Sequence, residues 1–215
     1  MSVLLDVCLR GTRSYIQGSQ MLAKAAEWLV SEGFGAAVLT SAKFSKLTNR
    51  KVMLQLDNEP APPNLMRLGM ATYGTGAGTL NVQFLEHESA CAPRCPEQPS
   101  RISSYDSCGA GVGYCRFATD GTHESYLAAV VEILKKQQAG LAAHVEEIWF
   151  TALSNAELQI APTPPLQGGL KASLLLSRAV NGRFQTLSRV ETELPTGSIE
   201  IQPFQVSFAC VIREE

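Results

Sequence analysis

Two successive α+β units, each an antiparallel sheet wrapped around one long helix, are predicted by three features of this 215-residue chain. First, three short patterns occur twice in the same order. Gly11-Thr12-Arg13 returns as Gly121-Thr122-His123, and Phe44-Ser45-Lys46-Leu47-Thr48-Asn49 returns as Phe150-Thr151-Ala152-Leu153-Ser154-Asn155. Pro60-Ala61-Pro62-Pro63 returns as Pro162-Thr163-Pro164-Pro165. A repeat of this length points to duplicated units with small loop deletions. Second, each copy holds one helical stripe followed by several strand-like runs. Third, a single amphipathic helix must bury its apolar side, and a curved sheet around it is the compact solution.

The first unit is expected over residues 1–88. It opens with a strand-like run over 3–9, broken by Gly11. Leu22, Ala25, Ala26, Leu29 and Val30 then fall at helical spacing. Ser19 is the expected N-cap, and Gly33 and Gly35 end the helix. Strand-like runs follow at 36–39 and 44–56. Pro60, Pro62 and Pro63 break the chain. Residues 65–73 and 79–87 read as a hairpin around Gly74-Thr75-Gly76-Ala77-Gly78. That glycine cluster resembles a phosphate cradle only superficially, because it joins two strands and opens no helix.

Residues 89–111 hold Cys91, Pro93, Cys95, Pro96, Pro99, Cys108 and several serines, which reads as an exposed linker. The second unit is expected over 112–215. A strand covers 112–118. A helix carries Leu127, Val130, Val131 and Leu134 on one face, with Lys135 and Lys136 near its negative end and Gly140 beyond it. Strands are expected at 145–153 and 157–160. Residues 170–180 and 184–191 flank Asn181-Gly182, a strong hairpin signal, and 199–212 form a last strand. Trp28 and Trp149 read as core or subunit-contact side chains.

The charge balance excludes one class of partner. The formal net charge is −2, with no basic stripe, so nucleic acid is not an expected ligand. A hydrophobic fraction of 45% beside 18% charged residues suits a globular chain with a proper core. The first residues carry no export signature, and no apolar run reaches membrane-spanning length. Six cysteines are therefore expected as reduced thiols in a cytoplasm. Cys8, Cys115 and Cys210 sit in apolar runs where buried thiols are common. Cys91, Cys95, Cys108 and Cys115 are a loosely spaced four-thiolate zinc possibility, without paired CxxC motifs. A linker disulfide or ordinary thiols are the alternatives, and no metal or other cofactor is expected.

The element order resembles the tandem, or double, hot-dog fold. Two segments carry the resemblance. Residues 13–22, Arg-Ser-Tyr-Ile-Gln-Gly-Ser-Gln-Met-Leu, lead into Ala25-Ala26 much as in hydroxyacyl-carrier-protein dehydratases and A-factor-type tandem proteins. Residues 44–54 and 150–160 resemble the strand-turn-strand that follows the central helix. The resemblance, which extends to acyl-thioesterases, implies a pseudo-dimeric double hot dog acting on acyl thioesters, with coenzyme A or a carrier protein as partner.

Backbone N–H groups at a helix start can polarise a thioester carbonyl. Gly18 would admit substrate close to the backbone, or is simply a turn glycine. Arg13, Tyr15 and Gln17 would line the thioester or phosphate mouth, or only pack the loop. The dehydratase histidine and acid do not recur in the first unit, which has Arg13, Tyr15 and Ala23 there. The second unit offers His123 and Glu124, without the matching glycine. His123 suits general acid–base work, with Glu124 orienting it. The alternative is that Thr122 caps the helix, Glu124 serves the dipole and His123 is a loop residue. The expected function is a dehydratase-like or thioesterase-like enzyme of fatty acid, polyketide or related synthesis, with a homo-oligomer open. The rival is a non-catalytic acyl-binding or assembly module.

Overall fold

A computed structural model of the protein describes residues 1–57, 62, 64–109, 111–141, 145–180, 183–196 and 200–212. The chain divides into two compact units. The first comprises 1–99 with 158–161, and the second 100–157 with 162–215.

The first unit contains β1 (Ser2–Leu4), β2 (Leu9–Arg10), α1 (Gly18–Ser31), β3 (Val38–Phe44), β4 (Arg50–Leu56), β5 (Arg67–Thr75), β6 (Gly78–Cys91) and β7 (Arg94–Cys95). Its main sheet runs β1-β4-β6-β5-β3, antiparallel throughout. Leu22, Ala25, Ala26 and Leu29 of α1 are buried as their spacing predicts. Leu39, Leu54, Leu68, Tyr73 and Phe84 from the sheet are also fully buried, and the Phe44 and Phe84 rings meet at 5.2 Å. Each such Leu contributes about 1.5–3 kcal/mol by leaving water. The β5–β6 hairpin turns at Gly76-Ala77, with Thr75 paired to Gly78, as the glycine cluster predicts.

The second unit contains β8 (Ile102–Ser107), β9 (Val112–Ala118), α2 (His123–Ala139), β10 (Val145–Ser154), β12 (Gln167–Val180), β13 (Arg183–Glu193) and β14 (Phe204–Ile212). The short β11 (Leu158–Gln159) lies between β10 and β12 in sequence but pairs with β3, and so belongs to the first unit. The second sheet runs β8-β9-β12-β13-β14-β10, again antiparallel. Gly113, Cys115 and Phe117 alternate inward along β9. Leu127, Val130, Val131 and Leu134 of α2 are buried. The helix is also fixed by polar contacts. Gln137 donates to the carbonyls of Gly111 and Ala172 and accepts from Ser188 Oγ at 2.8 Å. The Asn181-Gly182 turn and most of the first proline break lie outside the described residues.

Several expectations are corrected. The presumed linker 89–111 is built into the fold. β6 continues to Cys91, β7 pairs with β2, and β8 pairs with β9. Its serines and prolines read as loop, but β8 is an edge strand whose side chains are mostly exposed, so it tolerates polar residues. The run 3–9 is broken between β1 and β2, and the run 44–56 is broken by a loop between β3 and β4. The repeated Phe44 and Phe150 patterns therefore differ. Phe44 ends β3, and Leu47 is exposed in the following loop, whereas Phe150 to Leu153 lie within β10 and Leu153 is buried. The last strand starts at Phe204, directly after Pro203, whose ring nitrogen has no proton for a ladder. The sheet orders differ as well. The main-sheet strands that precede and follow each helix, β1 and β3 or β9 and β10, sit far apart in both sheets. The strands between them run β4-β6-β5 in one and β12-β13-β14 in the other.

Cys8 is not the free thiol expected. It is bonded to Cys95, a crosslink spanning 87 residues. Cys115 and Cys210 are buried free thiols, as expected, while Cys91 and Cys108 are exposed. Among the described residues no helix is long and apolar enough to cross a membrane.

Candidate active site

The approach to α1 is an extended segment tied down at several points. Leu9 N donates to Pro93 O at 2.8 Å, and Gly11 N to Cys95 O at 3.0 Å. Gly11 sits at φ +58°, where glycine is at ease. The Arg94 guanidinium donates to the carbonyls of Gly11 and Arg13. Ile16 is fully buried, and its N–H donates to Thr48 O at 2.8 Å.

The chain then enters α1 at Gln17, still extended with φ −74° and ψ 136°. Ser19 is therefore not the cap. It lies buried inside the first turn, because Gly18 already has the helical conformation. The N-cap Gln17 makes no side-chain cap hydrogen bond, and the first turn holds no acidic residue. The first N–H groups and the positive end of the helix therefore receive no oxygen from the Gln17 side chain. Gln20 holds the chain on the other side. With its amide oriented to satisfy both groups, it donates to Cys8 O at 2.9 Å and accepts from Cys8 N at 3.3 Å.

The sequence-predicted residues of this unit fall into two sets. Gln17 and Gly18 stand at the helix start, with Tyr15 buried just before it. Arg13 is engaged elsewhere, because its guanidinium is paired with Glu97.

The start of α2 is built differently. Thr122 is the N-cap and accepts from Ser125 N at 3.2 Å. Its hydroxyl donates to Asp120 Oδ1 at 2.6 Å, and Ser125 Oγ donates to the same oxygen. The hydrogen bonds from Ser125 and Thr122, with a smaller contribution from nearby Arg101, pull the Asp120 carboxyl down to about 2. Asp120 and Ser125 were not singled out in the sequence. The Asp-x-Thr-x-x-Ser spacing is the local signal that finds them.

His123 is the first residue of α2, and it is buried rather than a loop residue. Glu124 is half-buried in the same first turn. Consecutive helical residues do not face each other, so their adjacency is no orienting pair in itself. Tyr126 shares the His123 face at i+3. Its hydroxyl lies 2.8 Å from Thr192 Oγ1, and its ring lies between Phe117 and Phe204. Burial pushes the Tyr126 phenol well above its usual range, against the opposing hydrogen bond. It is therefore a neutral hydrogen-bonding group near neutral pH.

The four-thiolate set is not assembled, because Cys95 is spent in the bond to Cys8. Cys115 is buried in β9, and burial pushes its thiol up to about 12, which disfavours the thiolate a metal needs. Among the described residues no cluster of three or more His, Cys, Asp or Glu side chains forms a metal site.

No family model matches the chain, and no curated protein does either. Solved structures do. The dehydratase domain of RzxB from Pseudomonas fluorescens superimposes with a TM-score of 0.56 at 11% identity, covering 95% of this chain and 87% of that one. The dehydratase domain of the polyketide PpsC from Mycobacterium tuberculosis gives 0.52 at 10% identity, covering 99% and 88%. The tesB protein of Mycobacterium avium subs paratuberculosis gives 0.51 at 13% identity, covering 97% and 91%. Identities this low speak for the fold alone. Along nearly its whole length, then, this chain has a hot-dog fold, the fold that its element order predicts.

Proposed function

We propose that the protein acts on an acyl thioester, carried by coenzyme A or an acyl carrier protein, as a dehydratase-like or thioesterase-like enzyme. The observation that carries this reading is the contrast between the helix starts. The α2 start is filled by Asp120, Thr122 and Ser125, whereas at the α1 start, which opens with Gly18, the N-cap Gln17 makes no side-chain cap hydrogen bond. A thioester oxygen gains negative charge whether an α-proton is removed or water attacks the carbonyl. Fixed N–H groups stabilise that charge by about 3–4 kcal/mol per good donor. The similar solved structures, two dehydratase domains and a tesB protein, support the same direction.

In this reading Gln17 and Gly18 receive the carbonyl, and Tyr15 lines its approach. Arg13 acts on a phosphate only after leaving Glu97. His123, with Glu124 in the same turn, is the acid–base candidate of the second unit, considered separately from the α1 start of the first. The pairing of helix-sheet wrap with chemistry, the carrier, a cytoplasmic location and self-association belong to the same proposal. The test is turnover of a panel of acyl-CoA and 3-hydroxyacyl thioesters. Loss of at least about a hundredfold in His123→Ala is expected for a general base or acid. Equal turnover by wild type and His123→Ala removes that role.

A second reading has its own support. The filled α2 start and the absence of a histidine at Arg13 and Tyr15 suit a module that binds acyl groups without reacting. Calorimetry with a non-hydrolysable acyl thioester separates the two. Binding without turnover of the parent thioester favours the module.

A further inference from the structure

We propose that the Cys8–Cys95 disulfide is a redox-operated clamp on the approach to α1, opened by a dithiol reductant. The bond joins the segment leading to Gln17 and Gly18 to a strand 87 residues away. Each segment is anchored to the first unit by buried side chains, Leu9 and Ile16 on one and Ala92 on the other, but the ties that join them to each other are short. The β2–β7 sheet has two residue pairs only, Leu9 with Arg94 and Arg10 with Cys95, far short of an independently stable ladder. Beside it stand two further backbone hydrogen bonds, the Arg94 contacts and the Arg13–Glu97 pair, with Glu97 54% exposed. Exposed pairs of this kind contribute little. The covalent bond is therefore the firm member of the junction. It also reaches the helix, because Gln20 in the first turn of α1 holds both backbone groups of Cys8.

The bond is placed for exchange. Cys95 is half-buried, and its neighbours Arg94, Pro96 and Glu97 are exposed. The buried thiols Cys115 and Cys210 have no such access. In the reaction, a thiolate of the reductant attacks Cys95 Sγ, the S–S bond breaks, and Cys8 leaves as a thiolate that takes up a proton. The second thiol of the reductant then attacks the mixed disulfide, freeing the Cys95 thiol. The dithiol supplies two electrons and two protons and ends as its own cyclic disulfide. Opening then leaves the buried Leu9 and Ala92, a two-pair ladder and exposed polar contacts to hold the junction, which moves it toward the easily opened end of the protein's stability range. That opening also alters a thioester site at α1 rests on the functional reading above; the mechanical part does not.

The experiment uses the full chain with the exposed thiols removed, Cys91→Ser and Cys108→Ser. Hydrogen–deuterium exchange is compared in oxidised protein and in protein reduced with dithiothreitol, and binding of a non-hydrolysable acyl-CoA is titrated in both states. Reduction is expected to speed exchange about tenfold or more over 8–20 and 92–97, to leave α2 and β9 unchanged, and to reverse on reoxidation. A Cys8→Ser/Cys95→Ser variant should match the reduced state; if it does not fold, the wild-type redox pair still decides. Unchanged exchange at both segments overturns the clamp, as does a uniform rise across the first unit, or a purified oxidised protein with no Cys8–Cys95 crosslink by mass spectrometry. Local opening with no analogue binding in either state keeps the clamp and removes the thioester reading.

Discussion

Replacing Gly121 with alanine probes the junction that sets where α2 begins. Gly121 sits at φ +85°, and a side chain in left-handed backbone costs about 1–2 kcal/mol. The new Cβ would also overlap the carbonyl oxygen of Thr163. That oxygen has little freedom to move, because Thr163 N donates to Gly121 O at 2.9 Å and prolines flank Thr163 on both sides. Relief of the overlap parts the two segments. It forfeits that hydrogen bond, about 1 kcal/mol, and disturbs the Thr122 cap, about 1 kcal/mol more. The expected loss is about 3–4 kcal/mol in the second unit.

Gly33 is the control, since it has φ +88° but open space around the added Cβ, so Gly33→Ala should lose only the backbone cost of about 1–2 kcal/mol. Each unit carries one tryptophan, Trp28 on α1 and Trp149 on β10. Urea unfolding followed by fluorescence in a Trp28→Phe background reports the second unit, and in a Trp149→Phe background the first. If Gly121→Ala loses no more than Gly33→Ala, the close approach of 121 to 163 does not constrain the fold and the reasoning is wrong.

Thiol titration should find two reactive cysteines in the folded, unreduced protein, Cys91 and Cys108. Burial pushes Cys115 up to about 12 and Cys210 up to about 11, so they should react only after denaturation, and Cys8 and Cys95 only after reduction; early labelling of Cys115 contradicts the β9 burial. Tyr126→Phe should destabilise by about 1–2 kcal/mol in urea, and adding Thr192→Val should recover part of it, because removing both partners leaves no buried group unmet; an equal loss in the double variant argues against the Tyr126–Thr192 bond. Asp120→Asn should destabilise near pH 7 by less than about 1 kcal/mol, since Asp120 is substantially exposed and its hydrogen bonds are screened. The folded Asp120 carboxyl is depressed from 3.8 to about 2, so its contribution is present above about pH 4 and fades as pH falls through 2. The melting-temperature gap between wild type and variant should close over that window, and a gap that widens there refutes the assignment.

The second unit was the more legible half. Its strand over 112–118, the helix after Thr122, and the strands beginning near 145 and 170 all follow from local period and capping, which depend on residues a few positions apart. At the candidate site, the same locality offered Thr122 as a cap and put Gly18 just before the helix, although Ser19 drew the cap away from Gln17 because serine is the commoner choice.

What the sequence determined by itself is the two helices with their apolar faces and most of the longer strands, since amphipathic spacing needs no knowledge of distant partners; β7 and β8, in the stretch that reads as linker, it did not determine. The tertiary structure alone decided the rest. The different strand orders of the two sheets, β11 joining the first unit, Arg13 held by Glu97, and Cys8 bonded to Cys95 all join residues separated by long stretches of chain. No periodicity encodes such pairings. They are selected when the folded chain brings two segments together and weighs every alternative partner at once.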